Sequence, residues 1–263
     1  MSATNPGIVF MGTPEFAVES LKCILEAGYN VKGVITSPDK PSGRGLQLHP
    51  SPVKSFALEH KLRVLQPLKL KDPEFLKKLK ELQADLQVVV AFRMLPEEVW
   101  SMPPLGTFNL HASLLPDYRG AAPINWAIMN GETRTGLTTF FLNHEIDKGS
   151  VILTEVMEIG ANETAGELHD RLMVTGASLV VRTISAITAG KVIPTDQQFL
   201  ATHGPLHPAP KIFKHDCRIS WKKNTRDLFN FIRGLSPYPT AWSELVNSQG
   251  EMLHVKIFYA EAE

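Results

Sequence analysis

Gly7-Ile-Val-Phe-Met-Gly-Thr-Pro-Glu15 is the stretch on which the fold turns. Gly7 to Met11 is an apolar run without polar alternation, which reads as a strand buried on both faces. Thr13, Pro14 and Glu15 then supply an N-cap, an N1 proline and a first-turn acid. Ala17, Leu21, Ile24 and Leu25 follow at helical spacing, and Gly28 provides a stop. Val31 to Thr36 reads as the next strand. Ser51-Pro52 and Asp72-Pro73 repeat the cap-then-proline start, the second opening a helix with Phe75, Leu76, Leu79 and Leu82 on one face. Leu86 to Ala91 is a β-branched run suited to a central parallel strand. Thr107 to His111, Leu137 to Leu142 and Val151 to Ile159 are further strand candidates. Thr164 and Glu167 form a capping box for a long helix ending near Gly190. Strand–helix alternation of this kind predicts an α/β domain over residues 1–190, with an open, mostly parallel, Rossmann-like sheet.

Working outward, residues 191–210 hold Pro194, Pro205, Pro208 and Pro210 with little periodicity and read as a linker. Residues 211–263 start afresh, with a possible strand at Cys217 to Trp221 and a short helix from Thr225 to Arg233. Such a short piece is marginal for an independent core. The chain has 263 residues, with 27 Lys+Arg against 27 Asp+Glu. A net charge of zero argues against a uniformly basic nucleic-acid wrapper but leaves room for local patches. Residues 211–226 are such a patch, with Lys211, Lys214, Arg218, Lys222, Lys223 and Arg226 against Asp216. Cys23 and Cys217 lie too far apart in sequence to suggest a disulfide framework. No apolar run approaches membrane length and the first residues lack signal-peptide character, so a soluble cytoplasmic protein is expected.

The densest polar constellation is Asn109-Leu-His111-Ala-Ser113-Leu-Leu-Pro116-Asp-Tyr118-Arg119-Gly120. Asn109 and His111 are two apart, which on a strand puts both side chains on one face. They lie where that strand should end, and open α/β sheets build sites beyond the carboxyl ends of strands. An amide that steadies an oxyanion beside an imidazole that moves a proton suits acyl-group chemistry. The bland alternative is a turn-forming Asn109 and a satisfied core His111. Asp147, in His144-Glu-Ile-Asp-Lys-Gly149, can orient or charge an imidazole, or merely form a turn. His111, His144 and Asp147 show no metal-ligand spacing, and no metal is expected. Ser37 to Pro52 reads as a long loop, with Lys40 and Arg44 among glycines and prolines where they could meet a phosphate. Gly12 alone does not make a dinucleotide fingerprint, and neither a Walker A motif nor a nucleophile elbow occurs.

Together these segments resemble the methionyl-tRNA formyltransferase family. The resemblance rests on Val9 to Phe16, Ser37 to Gly45, Ser51-Pro-Val-Lys54, Asn109 to Pro116, Tyr118 to Pro123, Ile146 to Gly149, and Ile232 to Pro239. Asn-x-His, Ser-Leu-Leu-Pro and the later Asp are shared by folate-dependent formyltransferases at large, whereas the Ser37–Gly45 loop and Ser51–Lys54 favour a tRNA acceptor. The resemblance implies formyl transfer from 10-formyltetrahydrofolate to the amine of initiator methionyl-tRNA, with Asn109, His111 and Asp147 catalytic. It implies folate contacts at Phe92, Arg93, Met94 and Leu95 and at Ser113, Leu114, Leu115 and Pro116. Because an amine acceptor needs no acyl-enzyme, the Ser113 hydroxyl is expected to be structural and to brace the turn. Phe92-Arg-Met-Leu-Pro departs from the family pattern toward that of glycinamide ribonucleotide formyltransferases. The loop, with Lys40 and Arg44, and the basic Lys211, Lys214, Lys222 and Lys223 are implied to contact tRNA. Residues 211–263 then correspond to an incomplete OB-like β domain, and a monomer is expected. Two alternatives stand: a formyltransferase for a nucleotide-sugar amine, which Asn125-Trp126 and Asn130 to Thr133 also suit, and a noncatalytic folate- or RNA-binding module.

Overall fold

A computed structural model describes residues 5–42, 47–200 and 204–261. The chain begins with β1 (Gly7–Gly12), α1 (Glu15–Glu26) and β2 (Asn30–Ile35). Short strands β3 (Lys40–Ser42) and β4 (Gln47–His49) precede α2 (Pro52–Glu59), β5 (Val64–Leu65), α3 (Pro73–Glu81) and β6 (Leu86–Val90). Then come α4 (Glu97–Trp100), β7 (Thr107–His111), β8 (Arg119–Gly120), α5 (Pro123–Met129), β9 (Arg134–Phe141), β10 (Val151–Glu158) and α6 (Ala165–Thr188). The remainder contributes β11 (Pro208–Ala209), α7 (Thr225–Leu235), β12 (Ala241–Val246) and β13 (Met252–Ile257).

The chain divides into two compact units, each assembled from separate stretches. One comprises Met1–His111, Thr138–Thr154 and Met173–Leu200; the other comprises Ala112–Leu137, Glu155–Leu172 and Ala201–Glu263. The seven-stranded sheet has the order β10-β9-β7-β6-β1-β2-β5, and β9, β10 and α6 each run through a boundary between the units. From β5 to β7 every pairing is parallel; β9 joins β7 antiparallel. Strand order therefore reverses at β1, with β2 on one side and β6 on the other. The crevice beyond the carboxyl ends of such strands is where open α/β sheets bind ligands.

Side-chain chemistry accounts for this arrangement. Gly7–Gly12 and Leu86–Val90 are buried at every residue, as strands covered on both faces must be. On one face Val9, Met11, Ile35 and Val89 meet Phe75, Leu79 and Leu82 from the α3 region and Val99 of α4. Gly12 ends β1 without a side chain because a Cβ would lie 2.6 Å from the Ala17 Cβ and 3.0 Å from the Val90 oxygen. Asp72 caps α3 by accepting from the Phe75 N–H at 3.1 Å, and Thr164 with Glu167 forms the capping box that starts α6. In the second unit, the Asn125 amide donates to the Gly234 oxygen at 2.7 Å and the Trp126 indole to the Pro210 oxygen at 2.8 Å. Arg233 of α7 donates to the oxygens of Glu163 at 2.9 Å and Gly160 at 3.3 Å.

Several expectations need correction. α1 begins at Glu15, with Pro14 rather than Thr13 flanking it; Pro14 supplies the first carbonyl, bonded by Ala17 N–H at 3.0 Å. Ser37 to Pro52 is not structureless, since β3 and β4 pair antiparallel from Lys40↔His49 to Ser42↔Gln47. Residues 191–210 are more than a linker: Thr195 pairs with Val151, and β11 pairs with β8. Cys217 to Trp221 is not a strand. Lys214–Cys217 is a 3-10 turn closed by Asp216, and a single bridge joins Arg218 to Trp242. Among the described residues one helix, α6, is long and apolar enough by length and composition to cross a membrane, though Glu167, Asp170, Arg171 and Arg182 interrupt its apolar run. Its Leu168, Leu172, Leu179, Val180 and Ile184 are fully buried within the protein.

Candidate active site

β7 carries the two polar side chains on which the sequence reading turned. Asn109 lies in register with Val89 on one side and Phe140 on the other, and His111 with Thr138. Residues in register share a face, so Asn109 and His111 point the way Val89 and Met11 do, onto the face covered by α3 and α4. Asn109 is half-buried and makes no side-chain hydrogen bond to another described residue, whereas His111 is only 6% exposed. A carboxamide and an imidazole thus stand side by side at the carboxyl edge of a parallel strand.

The connection from β9 to β10 carries Asp147. Its backbone is left-handed, with φ 53°. Asparagine and aspartate tolerate that conformation better than other non-glycine residues. Gly149 is required nearby, because a Cβ there would sit 1.6 Å from the Phe141 carbonyl oxygen. Gln197, in the segment expected to be a linker, reaches this connection: its Nε2 donates to the Asp147 oxygen at 2.8 Å and the Gly149 oxygen at 2.9 Å. The only local signal was Asp196, which caps the 3-10 turn over Gln197–Phe199 by accepting from the Gln198 N–H at 3.0 Å. His144 points elsewhere. It is exposed, edge-on to Trp100 at 5.2 Å and 3.7 Å from Glu97.

The segment after β6 has a mixed character. Ala91 is left-handed, with φ 47°. Arg93 donates to the oxygens of Pro67 and, at 2.9 Å, Leu68, while its Nε is buried without a partner and burial pulls the guanidinium below its ordinary range. Its side chain therefore fixes the segment in place. Leu95 is core, Phe92 packs against that core, and Met94 is exposed. The N–H groups of Phe92 to Leu95 make no hydrogen bond to another described residue.

In the second unit Ser113 is fully buried and its Oγ donates to the Asp117 oxygen at 2.6 Å, bracing the turn. Leu115 and Pro116 are buried and Leu114 half-buried, so their side chains build the interior. Tyr118 follows. Its hydroxyl donates to Glu132 at 2.7 Å and accepts from Asn130 at 3.1 Å, and its ring stacks on His207 at 5.3 Å. Burial first, and Glu132 second, push its hydroxyl well above the usual phenol range. Asp117, Glu132 and His207 offer ligand atoms within 4.8 Å of one another. Asp117, however, already accepts from the His207 and Tyr118 N–H groups at 2.6 and 3.0 Å, and Glu132 from Tyr118. The trio reads as a latch rather than a metal centre.

Of the residues implied for tRNA, Arg44 lies outside the described residues. Lys40 is exposed on β3. Behind it, Lys54 pairs with Asp39 at 2.5 Å, Gln66 donates to Asp39 and to the Ser37 oxygen at 2.8 Å each, and Ser51 meets Thr36 at 2.7 Å. Ser51-Pro-Val-Lys54 therefore roots the loop. Lys54 first, then Gln66, hold the Asp39 carboxyl below its usual range. Lys211, Lys214, Lys222 and Lys223 are all exposed. Arg218 is paired with Glu244, but these four lysines form no ion pair among the described residues.

Comparison with known proteins bears on this site. The family model for formyl transferase matches residues 7–184, and that for the formyl transferase C-terminal domain matches residues 211–263. A protein of Bacteroides fragilis named methionyl-tRNA formyltransferase is 61% identical over 254 residues, covering 97% of this chain and 78% of that protein. A protein of the same name from Bacteroides thetaiotaomicron is 59% identical over 254 residues, with 97% and 79% covered. The crystal structure of a 4-N formyltransferase from Francisella tularensis superposes with a TM-score of 0.69 over 98% of both chains at 20% identity, which shows a shared fold.

Proposed function

The chain belongs to the formyl transferase family, and from that premise we propose that it moves the formyl group of 10-formyltetrahydrofolate to the free amine of initiator methionyl-tRNA, giving N-formylmethionyl-tRNA in the cytoplasm. One observation carries the acceptor: identity of 59–61%, sustained over 97% of the chain, with relatives named methionyl-tRNA formyltransferase. Sugar formyltransferases share the fold at only 15–22% identity.

The chemistry follows from the residue types. The amine is itself a competent nucleophile, so no acyl-enzyme is needed. As it attacks the formyl carbon, the carbonyl oxygen gathers negative charge. The Asn109 carboxamide and the His111 imidazole donate hydrogen bonds to that oxygen, the kind of preorganised stabilisation that dominates acyl transfer. Asp147 supports the imidazole's positive charge and, directly or through water, takes the proton that the amine must shed. The carbon–nitrogen bond to methionine forms, the bond to the donor nitrogen breaks with its electron pair, and the shed proton returns to that nitrogen. Main-chain donors of Phe92 to Leu95, held in place by Arg93, suit the hydrogen-bonding edge of a pterin, which supports the folate reading without side-chain identity. Exposed Lys40, Lys211, Lys214, Lys222 and Lys223 are candidates for phosphate contacts, and a monomer suffices for all of this.

The test is formyl transfer from 10-formyltetrahydrofolate to charged initiator tRNA, run beside a nucleotide-sugar amine. Transfer to the tRNA alone is expected. Transfer to the sugar amine alone would overturn the acceptor, and folate binding without transfer to either would make the protein a binding module.

A further inference from the structure

We propose that Gln197 is a positioning residue for formyl transfer, acting through Asp147; this rests on the reading of Asp147 as catalytic. A carboxamide nitrogen carries two hydrogens, and here both are committed to one short stretch of backbone. One goes to the Asp147 oxygen at 2.8 Å and the other to the Gly149 oxygen at 2.9 Å. Gln197 is 3% exposed, so it makes both bonds from a position shielded from water, where a hydrogen bond counts for more.

The stretch it holds has a constrained backbone. Asp147 sits in the left-handed region at φ 53°. The connection's own bonds include Glu145 N–H to the Asn143 side chain at 2.9 Å and Phe141 N–H to the Ser150 oxygen at 3.0 Å. Across Asp147 there is a long Lys148 N–H to Glu145 oxygen bond at 3.5 Å, with an exposed Lys148–Glu145 ion pair. The two short bonds from Gln197 therefore add a buried hold to an exposed one. Gly149 lets the backbone press against Phe141, where any Cβ would collide. Gln197 fixes the backbone on both sides of Lys148 and with it the origin of the Asp147 side chain.

The tether is itself anchored. Thr195 and Val151 exchange backbone hydrogen bonds of 2.8 and 2.9 Å, and Asp196 caps the turn that presents Gln197. A residue about fifty positions away in sequence thus joins the wall of the site. Small displacements of a catalytic group are expensive in rate, about a hundredfold for an ångström.

The experiment uses the full chain with Gln197→Met, Gln197→Glu, Asp147→Asn and the double variant Gln197→Met/Asp147→Asn. Formyl transfer to charged initiator tRNA is measured with the thermal midpoint. Gln197→Met should lower kcat roughly ten- to a hundredfold, leaving the Michaelis constants for folate and tRNA little changed. In the double variant the loss should fall well short of the product of the single losses, because both residues act through one group. Gln197→Glu should be slow at neutral pH and recover in part as acid protonates it into a donor. Near-normal kcat in Gln197→Met, a raised Michaelis constant at unchanged kcat, or losses that multiply would each overturn the proposal. If Gln197→Met does not fold, Gln197→Glu decides. If neither folds, Gln197 is a stability residue and the proposal is wrong. An active Asp147→Asn removes the underlying reading, and the proposal with it. An inactive Asp147→Asn beside an active Gln197→Met removes the proposal alone.

Discussion

The left-handed backbone at Asp147 makes asparagine the replacement that isolates charge, because it keeps both the size and the tolerance for φ 53°. Asp147→Asn should leave the thermal midpoint nearly unchanged, lower turnover, and reshape the rate profile between about pH 6 and 9, where imidazole and α-amino groups titrate. An unaltered profile with near-normal turnover would make Asp147 a turn residue. His111→Ala should cost about a hundredfold or more in kcat, on the scale of a lost oxyanion donor, with folate affinity retained. Turnover close to wild type would return His111 to the role of a core histidine. Tyr118 concerns stability instead. Its hydroxyl is held above the ordinary phenol range, so the neutral form is favoured in the folded state. That contribution is complete below the unfolded value of about 10 and is lost as pH climbs beyond it toward the folded value. Tyr118→Phe leaves Glu132 without its donor and should cost about 1–3 kcal/mol near neutrality, while abolishing this alkaline loss. Unfolding midpoints followed from pH 8 to 11, as read about that phenol value, check both parts.

At the scale of elements, α2 and the loop before it form one device. Ser51 caps α2 by accepting from the Lys54 N–H at 3.1 Å and also meets Thr36. Ser51→Ala should therefore cost about 1–2 kcal/mol, lowering the midpoint by some 2–4 °C per kcal/mol. Lys54 and Gln66 keep Asp39 ionised, so their hold on the loop root is present above the ordinary carboxyl value near 4 and fades as pH falls below it. In Lys54→Met the Asp39 carboxyl should titrate closer to that ordinary value, which carbon-detected NMR would read, and the tRNA Michaelis constant should rise more than that for folate. An Asp39 titration unmoved by Lys54→Met would break the clamp. The sequence displayed the helix start through Ser51-Pro52 but hid the clamp, because Asp39, Lys54 and Gln66 meet only after β2 and β5 pair. β7 was legible to the residue, since Thr107 to His111 alternates within a single buried strand. Cys217 to Trp221 misled because two buried residues, Cys217 and Ile219, imitate a strand's alternation while Asp216 and the backbone close a turn. Gln197 was illegible for a related reason: Asp196 marks a local turn, but it does not reveal that the partners of Gln197 are carbonyls far along the chain.

For the whole molecule, the open, mostly parallel sheet followed from local patterning, because buried runs joined by helical crossovers can pair in few ways. The location of tRNA affinity is a different kind of quantity, set by where charge accumulates. With 27 cations against 27 anions there is no general attraction to a polyanion, so affinity must come from patches whose cations are not already spent. Arg218 is spent on Glu244, whereas Lys222 and Lys223 precede α7 exposed, with the Lys223 ammonium 5.4 Å from the Phe231 ring. Removing residues 211–263 outright would be a poor test, because it also strips Arg233 and Gly234 from their partners Glu163 and Asn125. Lys222→Gln with Lys223→Gln removes two charges and leaves that packing alone. Each phosphate contact contributes roughly 0.7–0.9 to the slope of log affinity against log salt. The double variant should therefore flatten the slope by about one to two units and raise the tRNA Michaelis constant at low salt, with the folate constant and thermal midpoint preserved. An unchanged slope would make the pair a solvated surface and shift the search for phosphate contacts to Lys40, Lys211 and Lys214.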